Sequence, residues 1–317
     1  NTWLFEHPLS DGGTFCGVQD LVMKYGVVPA EVCPESYNAN NTSKMAEIIS
    51  LKLRQYGLEL RDMVSKGKSA TDLQKRKTTM LGEVYHILQI CLGTPVEKFV
   101  WTLRTADGKA VSTAEYTPKQ FYQEFVGKDL KNDYVMLMND PTRPYYKLYA
   151  VDLDRHTYDG RNWTYINLPM NEIKAMAVKS LKDTTMMYMS CDVGKFLDKK
   201  TGVLDVDNYD YASLFNTTFP MNKAERIQTH ASASSHAMTL MAVGLDATGK
   251  TTKWMVENSW GPTYGYKGHL IMTDKWLDEY LFRLVVDKKY VDAKTLDILN
   301  QKPTLLPAWD PLFQAEQ

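Results

Sequence analysis

The sequence predicts an α+β fold in which helices fill most of the first 130 residues and strands dominate the remainder. Apolar residues recur three and four positions apart in residues 44–66 and 70–92, among lysine, arginine and glutamate, as is typical of amphipathic helices. From Tyr134 onward, short apolar runs and alternating apolar and polar residues predict strands. With 317 residues, 44% of them hydrophobic, the chain can form one large or two ordinary domains.

The first predicted helix covers residues 15–25, where apolar residues recur at helical spacing. Gly26 and Pro29 follow directly and end it. The two long helices come next, and a short one is predicted at residues 117–125.

In the second half, four short buried strands and one helix are predicted. The strands are residues 134–139, 146–152, 164–168 and 185–191, with a helix at residues 169–181.

Two polar side chains are predicted to meet in a hairpin near residue 250. His236 begins an alternating stretch that fits a half-buried strand, namely Met238, Leu240, Ala242 and Gly244. A second strand, residues 253–257, ends at Asn258, and turn-forming residues lie between the strands. His236 and Asn258 are therefore expected to lie side by side. An asparagine carbonyl beside an imidazole fixes the orientation and tautomer of the ring, as the third member of a nucleophile, base and orienter set requires.

Composition narrows the classes of function. Lysine and arginine number 37 against 38 for aspartate and glutamate, so neither a nucleic acid nor a membrane surface is expected as an obligatory partner. The four cysteines have no C-x-x-C spacing, which argues against zinc and favours a reducing, cytoplasmic location. No apolar run reaches the roughly 18 residues needed to span a bilayer. No cofactor or metal is implied.

Several segments resemble the papain-like cysteine peptidases. His236-Ala237, Asn258-Ser259-Trp260-Gly261 and Gly265-Tyr266-Lys267-Gly268 are similar to the His and Asn motifs of that group. Three further segments resemble the bleomycin hydrolase / aminopeptidase C branch of that group. They are Glu35-Ser36-Tyr37-Asn38, Cys191-Asp192-Val193-Gly194-Lys195 and Leu306-Pro307-Ala308-Trp309-Asp310-Pro311. The resemblance extends over nearly the whole chain.

The resemblance implies a papain-like fold in four parts. Residues 1–37 would be the remainder of the helical catalytic half, and residues 38–130 a helical insertion that hooks subunits together. Residues 131–300 would form the β-barrel-like half that carries His236 and Asn258, and residues 301–317 a C-terminal arm in the cleft. Such an insertion implies self-association as a ring, a homohexamer.

The resemblance also implies an activity, the removal of amino-terminal residues from peptides by a thiolate. His236 would act as base and acid, Asn258 as orienter, and Trp260 would shield their contact from water. Gly12 and Gly13 would line the cleft, although an ordinary turn before a helix has the same sequence. The terminal carboxylate of Gln317 would hold the amino group of the substrate.

The nucleophile of the family is not visible in the sequence. It lies in a Gln…Cys-Trp segment that opens a helix, upstream of the position that Ser10-Asp11-Gly12-Gly13 occupies here. We therefore expect the chain to be the C-terminal portion of a longer protein. The alternative is a non-catalytic pseudoenzyme or assembly subunit of the same fold. A ring that binds nucleic acid is a weaker alternative, because the charge is balanced.

Other residues that suggest chemistry have ordinary explanations. Cys16 lies at a helix start, where a thiol pKa can be depressed, but a small buried side chain is expected there. Asp192 is expected to cap a turn. Asp205, Asp207 and Asp210 lack the glycine and glutamate of a calcium loop. His230 lies in a loop, and His86 is expected to be a partly buried structural residue.

Overall fold

The computed structural model describes residues 2–9 and 12–313 and divides the chain into two compact units. The first unit comprises Asn1–Thr14 and Asp20–Lys128, and the second comprises Phe15–Gln19 and Asp129–Gln317. The described part of the first unit is mainly helical. Its elements include helices α1 (Thr2–Glu6), α2 (Phe15–Tyr25, whose first five residues belong to the second unit), α3 (Tyr37–Asn40), α4 (Ser43–Ser65), α5 (Ala70–Leu92) and α6 (Pro118–Phe125). The helices predicted at residues 15–25, 44–66, 70–92 and 117–125 are confirmed.

Helices α4 and α5 are joined by a short turn and by charged side chains. Ser69 caps α5 in a reciprocal capping box with Asp72. The Tyr56 hydroxyl donates to Glu83 at 2.5 Å, and Arg76 donates to both Glu83 and a carboxylate of α4. Because these contacts are partly exposed, they contribute little to stability, and their main effect is on how α4 and α5 pair.

The prediction for His86 was wrong. This residue is exposed on α5, whereas Val84, Ile87 and Leu88 are half-buried. Since each residue advances the helix by about 100°, a position two residues after Val84 points away from the face that packs.

A β-hairpin lies in the part of the chain where only helices were predicted. Strands β1 (Phe99–Arg104) and β2 (Ala110–Tyr116) pair antiparallel, with Phe99 opposite Tyr116. Phe99 and Tyr116 pack with Phe121 of α6 in a small aromatic core. All of β2 except Tyr116 is exposed, so the strand lacks the alternation that would reveal it in the sequence.

The second unit is built on an eleven-stranded mixed sheet. Its strands are β3 (Tyr134–Met138), β4 (Lys147–Val151), β5 (Thr164–Asn167), β6 (Met187–Cys191), β7 (Leu197–Asp198), β8 (Val203–Leu204), β9 (His236–Leu245), β10 (Thr251–Glu257), β11 (His269–Thr273), β12 (Leu281–Asp287) and β13 (Thr304–Leu306). Their spatial order is β13-β4-β5-β3-β12-β6-β9-β10-β11-β8-β7. The strand-rich second half of the prediction is confirmed, and the central strand β12 was not predicted.

Five short helices and three 3₁₀ turns connect or cover these strands. They are α7 (Met170–Lys182), α8 (Tyr211–Phe215), α9 (Lys223–Gln228), α10 (Asp274–Tyr280), α11 (Ala293–Asp297), and the 3₁₀ turns Lys288–Tyr290, Ile298–Asn300 and Pro311–Phe313. Leu137 belongs to one apolar core and its neighbours Met136 and Met138 to another. Because successive side chains of a strand point to opposite faces, the two cores lie on opposite sides of the sheet.

Lys223 is a buried lysine at the start of α9, and its protonated form makes three hydrogen bonds. Its ammonium donates to the Asn139 carbonyl oxygen at 2.7 Å, to the Leu281 carbonyl at 2.6 Å and to the Asp278 carbonyl at 3.1 Å. Three neutral acceptors satisfy its three donors, and the side chain ties α9 to strands β3 and β12. Burial lowers the pKa of Lys223 from 10.5 to about 7.

This depressed pKa should make the contribution of Lys223 to stability increase with pH. Between about pH 7 and 10 the unfolded chain binds the proton and the folded chain does not, so the free energy of unfolding increases by up to about 1.4 kcal/mol per pH unit. We expect the difference in unfolding free energy between the native protein and Lys223→Met, measured in urea, to increase from pH 7.5 to 9.5. Lys275→Met is the control, because Lys275 is exposed. If the difference in unfolding free energy did not change with pH, the lowered pKa of Lys223 would be contradicted.

Candidate active site

His236 and Asn258 lie at the open end of the β9–β10 hairpin. The strands pair antiparallel, with Glu257 opposite Thr239. At the closed end the amide of Asp246 donates to the Lys250 carbonyl at 2.9 Å. The hairpin was predicted from its alternation and turn residues, and the structure confirms it.

The His236 ring and the Asn258 side chain are hydrogen-bonded. Nε2 of His236 lies 2.8 Å from Oδ1 of Asn258. The same oxygen accepts the backbone N–H of Ser259 at 2.8 Å, which identifies the atom as the carbonyl oxygen and not the amide nitrogen. Nε2 must therefore carry a hydrogen, and Nδ1 keeps the lone pair. The ring is held in the tautomer of a base that works through Nδ1.

An aromatic pair lies against this contact. The Trp260 ring centroid is 5.1 Å from that of His236, with 37° between the planes. Tyr264 meets Trp260 edge to face at 4.7 Å. Trp260 is itself 41% exposed, so it covers one side of the imidazole and leaves its own outer face accessible.

The loop that follows Asn258 depends on close backbone contacts. The amide of Asn258 donates to the Gly268 carbonyl at 2.9 Å and closes the loop. Gly265 has φ +59°, and a Cβ there would lie 2.3 Å from the carbonyl oxygen of His269. Only glycine fits this position, which explains one of the glycines in the motif.

A pocket of about 210 Å³ adjoins the start of β9. It is lined by Asp192, Gly194, Lys195, Ala231, Ser232, Ala233 and Ser235. Cys191 is the register partner of His236, so Asp192 follows directly in the strand beside the histidine. The Asp192 carboxylate accepts a hydrogen bond from Ser232 at 2.7 Å, and its carbonyl closes the next turn with the amide of Lys195.

Comparison with known proteins identifies the family that shares this architecture. The sequence matches the Peptidase C1-like family over residues 2–313. The chain belongs to this family. Bleomycin hydrolase of Homo sapiens is 40% identical over 318 residues, covering 98% of this chain and 70% of the relative. Aminopeptidase C of Streptococcus thermophilus is 35% identical over 312 residues, with the same coverage.

A solved structure in the family has the same fold. The crystal structure of PepW from Lactobacillus rhamnosis superimposes with a TM-score of 0.95 at 38% identity, covering 98% of this chain and 70% of that one. The predicted resemblance to papain-like peptidases of the bleomycin hydrolase / aminopeptidase C branch is confirmed, and with it the fold class.

In the Peptidase C1-like family a thiol is the nucleophile, so the position of each cysteine matters. Cys191 is fully buried, and burial raises the pKa of its thiol well above the ordinary value. Cys16 is buried in the apolar core that contains Phe282. In the first unit Cys33 is exposed and Cys91 is half-buried.

Gly12 and Gly13 are exposed residues that precede α2, and Gln317 lies outside the described residues. His230 is exposed in a loop, at φ +61°. Asp207 pairs with Lys275, and Asp210 caps α8.

The described residues contain neither a metal-binding cluster nor a membrane-spanning helix. Across residues 2–9 and 12–313, no group of three or more histidine, cysteine, aspartate or glutamate side chains could hold a metal ion. Over the same residues, no helix has the length and apolar character needed to cross a bilayer.

Proposed function

We propose that this chain provides the base and the orienting residue of a cysteine aminopeptidase. The observation that carries the proposal is the 2.8 Å contact between His236 Nε2 and Asn258 Oδ1, which leaves Nδ1 as the proton acceptor. Relatives named bleomycin hydrolase and aminopeptidase C favour this activity over a non-catalytic subunit.

His236 would transfer protons in both halves of the reaction. Its Nδ1 takes the thiol proton, and the resulting thiolate attacks the carbonyl carbon of the peptide bond. The imidazolium then returns that proton to the leaving amine as the C–N bond breaks, giving a thioester. A water molecule hydrolyses the thioester after giving its proton to Nδ1, and the thiol is regenerated. Asn258 keeps Nε2 protonated and the ring aligned throughout.

The nucleophilic thiol is proposed to come from a segment other than residues 1–317. The raised pKa of Cys191 opposes its reaction as a thiolate at neutral pH. The apolar surroundings of Cys16 make it a packing residue.

Other residues are assigned roles in substrate binding within the same proposal. Trp260 would cover the imidazole, a role supported by its 5.1 Å ring contact with His236. Gly12 and Gly13 would pair with the substrate backbone, and Gln317 would bind the substrate at its amino group.

Assembly and location are further parts of the proposal. We propose a homohexamer in the cytoplasm. Large apolar side chains on the helical hairpin support self-association, because Leu51, Leu58 and Ile90 are each exposed by more than 60%. None of the four cysteines among the described residues is in a disulfide, which supports a reducing compartment.

Covalent labelling of the complete encoded protein tests the proposal. The protein is incubated with a thiol-reactive epoxide inhibitor, its intact mass is measured, and its peptides are mapped. We expect one label per chain, on a cysteine outside residues 1–317, with loss of activity towards a peptide that has a free amino terminus. The same peptide with an acetylated amino terminus should be cleaved much more slowly.

Two outcomes would contradict the proposal. A label on Cys16 would assign the nucleophile to this chain, and an unlabelled, inactive protein would favour the non-catalytic subunit. Mass photometry of the same sample measures the oligomer and would refute the hexamer if it found only monomers.

A further inference from the structure

The wall of the pocket beside His236 is held from two sides. We define the pocket wall as residues 231–235, which lead directly into β9; all of them except Ser234 line the pocket. On one side, the Ser234 hydroxyl bonds that of Ser190 at 2.8 Å, and the amide of Ser235 donates to the Cys191 carbonyl at 3.2 Å. These contacts tie the wall to β6.

On its other side the pocket wall is held by the C-terminal segment, residues 310–313. The amide of Ser234 donates to the carbonyl of Leu312 at 3.1 Å. Leu312 is fully buried and packs in the same apolar core as Ile227 of α9. The position of the pocket wall therefore depends on where the C-terminal segment lies.

Phe313 adds an aromatic contact to the C-terminal segment. Its ring meets Trp163 edge to face at 4.7 Å, and the guanidinium of Arg283 lies over both rings. A cation over an aromatic face is attracted by the quadrupole of the ring.

A buried ion cluster fixes the start of the C-terminal segment. Arg143 forms ion pairs with both Asp140 and Asp310. Both carboxylates are nearly inaccessible, at 0% and 3% exposure. Burial raises the pKa of Asp310, and the positive charge of Arg143 opposes that rise. Burying two carboxylates next to each other is costly unless a cation lies between them, and Arg143 is that cation.

The ion cluster is itself rigidly attached to the sheet. Asn167 of β5 accepts from the amide of Asp140 at 2.8 Å and donates to the Asp140 carbonyl at 2.9 Å. It also donates to the Arg143 carbonyl at 3.2 Å. Arg143 thus links Asp140, which is held at the end of β3, to Asp310, which lies two positions before Leu312.

We propose that Arg143 is a positioning residue of the active site, which holds the C-terminal segment against the pocket wall and so fixes the wall that substrate meets beside His236. The chain of contacts runs from Asp140 through Arg143 to Asp310, and from Leu312 to Ser234. Arg143 touches neither the substrate nor the reacting atoms in this role. The inference rests on the proposed peptidase function.

Steady-state kinetics of Arg143→Met and Asp310→Asn in the complete encoded protein test the role. The substrate is an amino-acid amide of a fluorogenic amine, and active sites are titrated with the epoxide inhibitor. We expect KM to increase about tenfold in each variant, with kcat per titrated site changed less than threefold, because the wall moves while His236 and Asn258 keep their contact. The double variant should be no worse than the worse single variant, since both remove the same link.

Lys275→Met is the matched control, because it removes an exposed ion pair with Asp207. We expect its KM to be unchanged. The inference is overturned if KM stays native in both variants and only the fraction of active sites that can be titrated falls. It is also overturned if the increase in KM of the double variant is the product of the two single increases. A native protein that cannot be titrated at all would instead refute the proposed function, so the two failures are distinguishable.

Discussion

Replacing His236 by alanine is expected to lower kcat/KM of the complete protein by about 10⁴-fold. In the proposed mechanism the imidazole transfers protons both when the thioester forms and when water hydrolyses it, so its removal would affect both halves of the reaction. The measurement is hydrolysis of a fluorogenic amino-acid amide, normalised to protein concentration. The rate of alkylation by the epoxide inhibitor should fall in parallel, because the thiol loses the base that ionises it.

The control for this substitution is His86→Ala. His86 is exposed on α5, and alanine is well tolerated in a helix. We expect native kcat/KM in the control. If His236→Ala retained more than a tenth of the native activity, His236 would not be the base.

Replacing Asn258 by alanine is expected to lower kcat by about 10²-fold with little change in KM. The alanine removes the acceptor at 2.8 Å that keeps the hydrogen on Nε2, so the ring can rotate and populate the wrong tautomer. The base remains present, and the loss is therefore smaller than for His236. Kinetics with the same amide substrate measure both constants.

Asn300→Ala serves as the comparison, since Asn300 bonds only a nearby surface carboxylate among the contacts described. Native kinetics are expected for it. An Asn258→Ala enzyme with native kcat and a raised KM would show that Asn258 binds substrate and does not orient the ring.

The pairing of His236 with Asn258 could be predicted from the sequence because the information is local. Alternating residues define strand β9, turn residues close the hairpin, and the motif glycines reflect backbone constraints such as the one at Gly265. Strand β12 was missed for the opposite reason. Its first six residues are all buried, and a continuous buried run has no period that distinguishes a strand from a helix.

The support of the pocket wall could not be predicted either. Arg143 and Asp310 are separated by 167 positions, and neither lies in a periodic pattern. Ion pairs over such distances depend on sheet order, which places β13 beside β4 and brings the C-terminal segment to the end of β3. Strand β2 could not be predicted for a similar reason. Its residues are exposed except for Tyr116, so its pairing with β1 and its aromatic contacts are evident only from the structure.

Because the proposed base and orienter lie at the same end of one hairpin, the turn at residues 246–250 would control chemistry at the opposite end of that hairpin. The side chains of a strand alternate between faces, so a slip of one residue in pairing would turn Asn258 to the side opposite His236. The ladder already contains an irregularity between Met255 and Val256 that must be kept in register. An insertion in the turn that shifted the pairing by one residue would thus abolish the proposed catalysis, although His236 and Asn258 would both remain in the sequence.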